Sequence, residues 1–166
     1  MAFIAEGPVS YTHLDVYKRQ LLAAGHPVTA ITRSVAKHKH ARRHILALLK
    51  QMVKQGILQR DPSKVIQKLI ISEDFSSLRD SQIVIESIIE DLAIKRVALA
   101  QIEEVVSPET VIGSNTSAIP VSTLQEETKH PERILGIHWA EPAHVTRFLE
   151  IICGKRSELQ LSLIHI

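Results

Sequence analysis

The sequence predicts an α/β protein built on a doubly wound, mostly parallel sheet whose first βα unit is incomplete. From Leu21 onward, short β-rich runs alternate with helical patterns, the signature of βαβ units. Polar residues stand at the ends of several apolar runs, where open α/β sheets hold their ligands. Glycines are also too sparse for the phosphate-binding turn that opens such folds. At 166 residues, with 45% hydrophobic and 23% charged residues, the chain is long enough for one domain with a real core.

The elements follow in order. Leu21-Leu22-Ala23-Ala24 reads as the end of a helix stopped by Gly25. Residues 27–32 then form a strand. Ser34 is a plausible N-cap for a long helix to about Gln55, with Ile45, Leu48, Leu49, Met52 and Val53 as its buried stripe and Gly56 as its stop. Asp61-Pro62 supplies a cap and an N1 proline for a short helix through about Lys68. Leu69-Ile70-Ile71 is a short strand, followed by a polar segment over 72–80. Ile83-Val84-Ile85 is a buried strand. Asp91 caps the next helix, on which Ile94, Val97, Ala98, Ile102 and Val105 share a face, and Ser107-Pro108 ends it. Residues 110–113 form another strand, and Ser122-x-x-Gln125 has the form of a capping box. Residues 134–138 and 148–152 complete the strands.

Bulk properties exclude several classes. A net charge of +2 is too small to argue for nucleic acid or a membrane surface as partner. No run of about 18 apolar residues occurs, and the N-terminus lacks the pattern of a signal peptide. Cys153 is the only cysteine, so no internal disulfide can form, and a cytoplasmic protein is expected. Cys153 itself reads as a small apolar residue closing a strand. Lys37-His38-Lys39-His40-Ala41-Arg42-Arg43-His44 is the densest charge run. His40 and His44 are one helical turn apart, but no third ligand is evident, so no metal is expected. The run reads first as a solvated helix face.

Three tracts carry the chemistry: Ser114-Asn115-Thr116-Ser117, then Gly136-Ile137-His138-Trp139-Ala140-Glu141-Pro142, then Phe148-Leu149-Glu150. Together with 83–95 they resemble, in order and spacing, the 3-hydroxyacyl-CoA dehydrogenase family. The resemblance runs from about Gln20 to Ser157. It implies a Rossmann-like fold and oxidation of an L-3-hydroxyacyl-CoA, such as 3-hydroxybutyryl-CoA, to the 3-ketoacyl-CoA with NAD. By that resemblance His138 is the general base, since imidazole accepts a proton near neutral pH. Glu150 orients it through the other ring nitrogen, and Ser117 bonds the substrate oxygen. Asn115, Glu90 and Lys95 would contact the nicotinamide-ribose side of the cofactor. Trp139 reads as a core or pocket-wall aromatic.

Where NAD-preferring members carry an acid at the end of the second strand, this chain has Thr32-Arg33, which makes NADP chemically reasonable, although the family favours NAD. The family usually has asparagine three residues after the histidine, where this chain has Glu141. The basic run lies on the side where the family's helical excursion follows the second strand, so some of its cations are candidates for CoA phosphates. The resemblance further implies an acyl-CoA substrate and a homodimeric full-length parent with a helical C-terminal domain absent here. Rival readings are a sister dehydrogenase for carnitine or a sugar acid, and a non-catalytic remnant.

The ends depart from this pattern. Residues 8–20 and 161–166 resemble translated adapter sequence. The six glycines stand no closer than the 18 residues that separate Gly7 from Gly25, or Gly136 from Gly154, so G-x-G-x-x-G occurs nowhere. That turn needs glycines because a Cβ obstructs the approach of pyrophosphate to the backbone. The expected organisation is a foreign or disordered segment over 1–20, a truncated dinucleotide-binding domain over 21–157 and a foreign tail over 158–166. As a fragment, the chain is expected to be inactive alone.

Overall fold

The computed structural model describes residues 2–5, 11–32, 35–139 and 149–158. Seven strands form one sheet: β1 (Ala2–Ala5), β2 (Val28–Ile31), β3 (Leu69–Ser72), β4 (Ile83–Ser87), β5 (Val111–Ser114), β6 (Ile134–Trp139) and β7 (Leu149–Cys153). Their order across the sheet is β3-β2-β1-β4-β5-β6-β7. Every pairing is parallel except that of β6 with β7. The doubly wound, mostly parallel fold is therefore present.

Alternation along the strands divides the core in two. Val28, Ala30, Ile85, Leu135 and Ile137 pack with α1 (Tyr11–Ala24) and α2 (Val35–Lys54), which contribute Leu22, Ile45, Leu49 and Met52. Ile31, Val84, Ile112 and Ile134 face the other way, onto Leu78, Ala98, Leu99, Ile102 and Leu124. Leu99 and Ile102, both fully buried on α4 (Leu92–Val105), each contribute about 1.5–3 kcal/mol by leaving water.

Local chemistry sets the ends of these elements. Gly25 closes α1 at φ +99°, with His26 N bonded to Leu21 O and Gly25 N to Leu22 O. Gly56 repeats the arrangement after α2 at φ +72°. Both are left-handed caps that residues with Cβ atoms adopt at a cost. Asp61 accepts from Ser63 N and opens α3 (Pro62–Val65), which passes into a 3-10 turn at Ile66–Lys68. Asp91 accepts from Ile94 N and opens α4. The Ser34 cap falls outside the described residues.

Several expectations are corrected. The first strand, β1, occupies the centre of the sheet, and α1 begins at Tyr11, so elements occupy parts of the segment expected to lie outside the domain. The 72–80 segment contains a 3-10 turn, Phe75–Leu78, capped by Asp74. On α4, Ile94 and Val97 are exposed, and the buried stripe is Lys95, Ala98, Leu99, Ile102 and Glu103. Periodicity misplaces that face because two charged residues lie within it, each paired across the fold. Val53 is likewise exposed on α2. Ser122 and Gln125 form no capping box, since Pro120 precedes α5 (Val121–Leu124) as its N-cap. Ser122 Oγ instead accepts from Lys155 N. Gln125 is buried, donating to Pro131 O and Ile134 O and accepting from Arg156 N. Cys153 is exposed on the outer strand.

Packing between β5 and β6 is close enough to demand a glycine. A Cβ built on Gly113 would stand 2.1 Å from Ile137 Cδ1 and 2.5 Å from its Cγ1. Ile137 is β-branched and has few rotamers to yield. Gly113→Ala should destabilise the domain by about 1–3 kcal/mol, the usual cost of overpacking. In an Ile137→Ala background the added penalty should largely vanish, as a double-mutant cycle in urea unfolding would show.

Candidate functional site

Six strands run the same way, so their carboxyl ends share one edge, with the topological switch point between β1 and β4. Thr32 follows β2, Glu90 follows β4, Asn115 and Ser117 follow β5, and His138 lies near the end of β6. The reversed β7 delivers Glu150 to the same edge from its own start.

The β6–β7 register sets His138 directly across from Glu150. Residues so placed have side chains on one face, within reach of each other. His138 Nδ1 stands 3.0 Å from Glu150 Oε2, with the two side chains 35% and 47% exposed. An ionised carboxylate only accepts, so Nδ1 carries the hydrogen and a neutral ring keeps Nε2 as its acceptor. One ring nitrogen is thus committed, and the other can receive a proton.

A second constellation organises the loop after β5. Glu90 Oε1 accepts from Thr116 Oγ1 at 2.5 Å and from the backbone nitrogens of Ser117 and Ala118, each at 3.0 Å, and of Ile119 at 3.3 Å. Its other oxygen lies 3.4 Å from Lys95 Nζ. Partial burial pushes the Glu90 carboxyl up, but the Thr116 and backbone bonds and the Lys95 charge outweigh it and hold its pKa down at about 2. Asn115 donates from Nδ2 to Ser87 Oγ at 2.8 Å. Ser117 is exposed, and among the described residues its hydroxyl makes no bond.

Beneath this loop lies a fully buried ion pair. Lys95 Nζ is 2.8 Å from Glu86 Oε1 and 3.1 Å from Oε2, and both side chains are 0% exposed. Glu86 also accepts from Ile88 N at 2.7 Å and from Ser114 Oγ at 2.5 Å. Such a pair is tolerable only because its polar atoms are met, and removing one member costs about 3–5 kcal/mol.

Residues 17–162 match the family model described as "3-hydroxyacyl-CoA dehydrogenase, NAD binding domain". The chain belongs to the 3-hydroxyacyl-CoA dehydrogenase family. It is 34% identical over 131 residues to the 3-hydroxybutyryl-CoA dehydrogenase of Mycobacterium tuberculosis, covering 78% of this chain and 46% of that one. With the 3-hydroxyadipyl-CoA dehydrogenase of Escherichia coli it shares 32% over 154 residues, 92% of this chain and 30% of the other. The crystal structure of 3-hydroxybutyryl-CoA dehydrogenase from Escherichia coli K12 matches with a TM-score of 0.86 and 28% identity, over 97% of this chain and 34% of that one. The chain spans less than half the length of these relatives.

Within this dehydrogenase-family domain the structure brings His138 together with Glu150, and Ser117 with Glu90. Thr32 is set apart across the switch point, where its N–H donates to Ser72 O. Arg33, Glu141 and Phe148 lie outside the described residues, as does the Trp139 side chain. Lys95 is not at a solvated helix start, because its ammonium is spent on Glu86 and Glu90. Sequence reasoning gave no role to Glu86, nor to Ser114 and Thr116 within their tract. A carboxylate inside the buried run 83–87 was the available signal, since a charge there requires a partner. Among the described residues no group of three His, Cys, Asp or Glu side chains could hold a metal, and no helix is long and apolar enough to cross a membrane.

On the β4–β6 side, Asn115, Ser117 and Glu90 are the residues that could hold the ribose and nicotinamide end of a dinucleotide. The loop after β1, where pyrophosphate would lie, is outside the described residues, and its sequence lacks the glycine pattern.

Because Glu90 titrates at about 2 rather than near 4.5, its bonds stabilise the fold fully above about pH 4.5, and that contribution is lost as pH falls toward 2. Carbon-13 titration of the Glu90 carboxyl should show this depressed midpoint, and Thr116→Val should raise it. An unperturbed midpoint would mean that the loop bonds do not form in solution.

Proposed function

We propose that this domain is the nucleotide-binding part of a longer NAD-dependent dehydrogenase that oxidises L-3-hydroxyacyl-CoA, such as 3-hydroxybutyryl-CoA, to 3-ketoacyl-CoA. The observation that carries this reading is the 3.0 Å contact between His138 Nδ1 and Glu150 at the carboxyl edge. The bound dinucleotide would supply a hydride acceptor for the substrate's C3 hydrogen. His138 Nε2 takes the hydroxyl proton, while Glu150 fixes the tautomer and stabilises the imidazolium that results. The unbonded hydroxyl of Ser117 meets the substrate oxygen, and Asn115 and Glu90 order the nicotinamide-ribose side.

NAD is the expected cofactor. Thr32 and Arg33 in place of an acid also suit the 2′-phosphate of NADP. Exposed Lys39 and Arg43 on α2 are candidates for CoA phosphates. Arg42 is less available, donating to Ile66 O at 3.1 Å and Leu69 O at 2.5 Å. The parent is proposed to be a cytoplasmic homodimer, with little turnover by this chain alone, since residues 6–10 lack the phosphate-binding glycines.

The test is substrate preference in the parent reading frame. Oxidation of 3-hydroxybutyryl-CoA should exceed that of carnitine and of gulonate, and the reverse ranking would reassign the substrate. No turnover of any of the three would favour a non-catalytic remnant. His138→Asn should lower kcat by about 10²–10⁴ with little change in KM, and Glu150→Gln should lower it less. Steady reduction of acetoacetyl-CoA by the 166-residue chain would refute the inactivity of the domain alone.

A further inference from the structure

One ammonium serves two carboxylates at the heart of the carboxyl edge. Lys95 Nζ stands closest to Glu86, at 2.8 Å, and reaches Glu90 only at 3.4 Å. Glu90 is therefore under-served by charge and fills its remaining acceptor capacity with neutral donors, which it finds in Thr116 and the amides of residues 117–119. Lys95 thus links Glu86 to Glu90, and Glu90 in turn bonds the loop that carries Ser117.

Glu86 fixes Lys95. Its carboxylate gathers donors from three separate segments: Ile88 N beyond β4, Lys95 on α4 and Ser114 at the end of β5. It is wholly buried and cannot meet a ligand. Alternation places it with Val84 on the α4 side of the sheet, so the strand itself aims it at the lysine.

We propose that Glu86 positions the Ser117 loop through Lys95 and Glu90. The functional weight of this relay rests on the reading of Ser117 as a substrate contact. The relay itself is a property of the chain.

Amide exchange followed by NMR in the intact chain tests it, with urea unfolding as the check on folding. Glu86→Gln and Lys95→Met should each accelerate exchange at Ser117 and Ala118 by roughly tenfold or more, the scale of a lost bond to a charged group. Leu135 and Ile137 on β6 should change far less. Lys95→Met should also raise the carbon-13 titration midpoint of Glu90, a shift that a general loss of stability would not produce. Should Glu86→Gln fail to fold, Ser114→Ala loosens the same carboxylate without breaking the ion pair, and it should accelerate the same amides. Unchanged loop exchange in these variants overturns the proposal, as does acceleration spread evenly over β4, β5 and β6. Exchange judges the relay alone, so a parent frame that turns over none of the three substrates would fail the dehydrogenase reading without touching it.

Discussion

Burial of the Glu86–Lys95 ion pair constrains everything at the carboxyl edge. Two charges taken wholly out of water must find each other and must satisfy their remaining hydrogen-bonding atoms. Meeting that demand ties the end of β4, the first turns of α4 and the end of β5 into one unit. Glu90 extends the unit to residues 116–119. The loop after β5 is therefore held by fixed acceptors rather than left to the surface, which suits the substrate contact proposed for Ser117.

The two constellations use different physics. His138 and Glu150 meet through strand pairing, half exposed, with one ring nitrogen assigned to the carboxylate. The Glu86 cluster meets through charge compensation in a dry interior. Both lie on the same edge because β1 to β6 are parallel and β7 is reversed. The family match begins at residue 17, beyond the loop in which the glycine-rich turn is missing.

Much of the fold was legible because its signals are local. Gly25 and Gly56 stop helices where they were expected to, and Asp61-Pro62 and Asp91 start them, each through contacts within a few residues. The pairing of His138 with Glu150 was expected from the family resemblance, which their places at two strand ends allowed, and the two side chains stand 3.0 Å apart. What stayed hidden depends on partners distant in sequence. Periodicity treats Lys95 and Glu103 as solvent-facing, yet Lys95 pairs with Glu86, and Glu103 accepts from the amides of Lys129 and His130. The apolar face assigned to α4 was rotated as a result, leaving Ile94 and Val97 outside. Gln125 looked like a helix cap because local pattern cannot reveal that its partners are carbonyls and an amide brought in by tertiary folding. Residues 8–20 resemble adapter sequence, yet 11–20 lie within α1.

The reversal of β7 has an evolutionary corollary. Side chains alternate between faces, so slipping β7 by one position would turn Glu150 to the far side of the sheet and bring Leu149 or Ile151 opposite the imidazole. No intermediate arrangement exists between these two. A register slip in this part of the chain can therefore keep the pair whole or abolish it at a stroke, but cannot erode it by degrees.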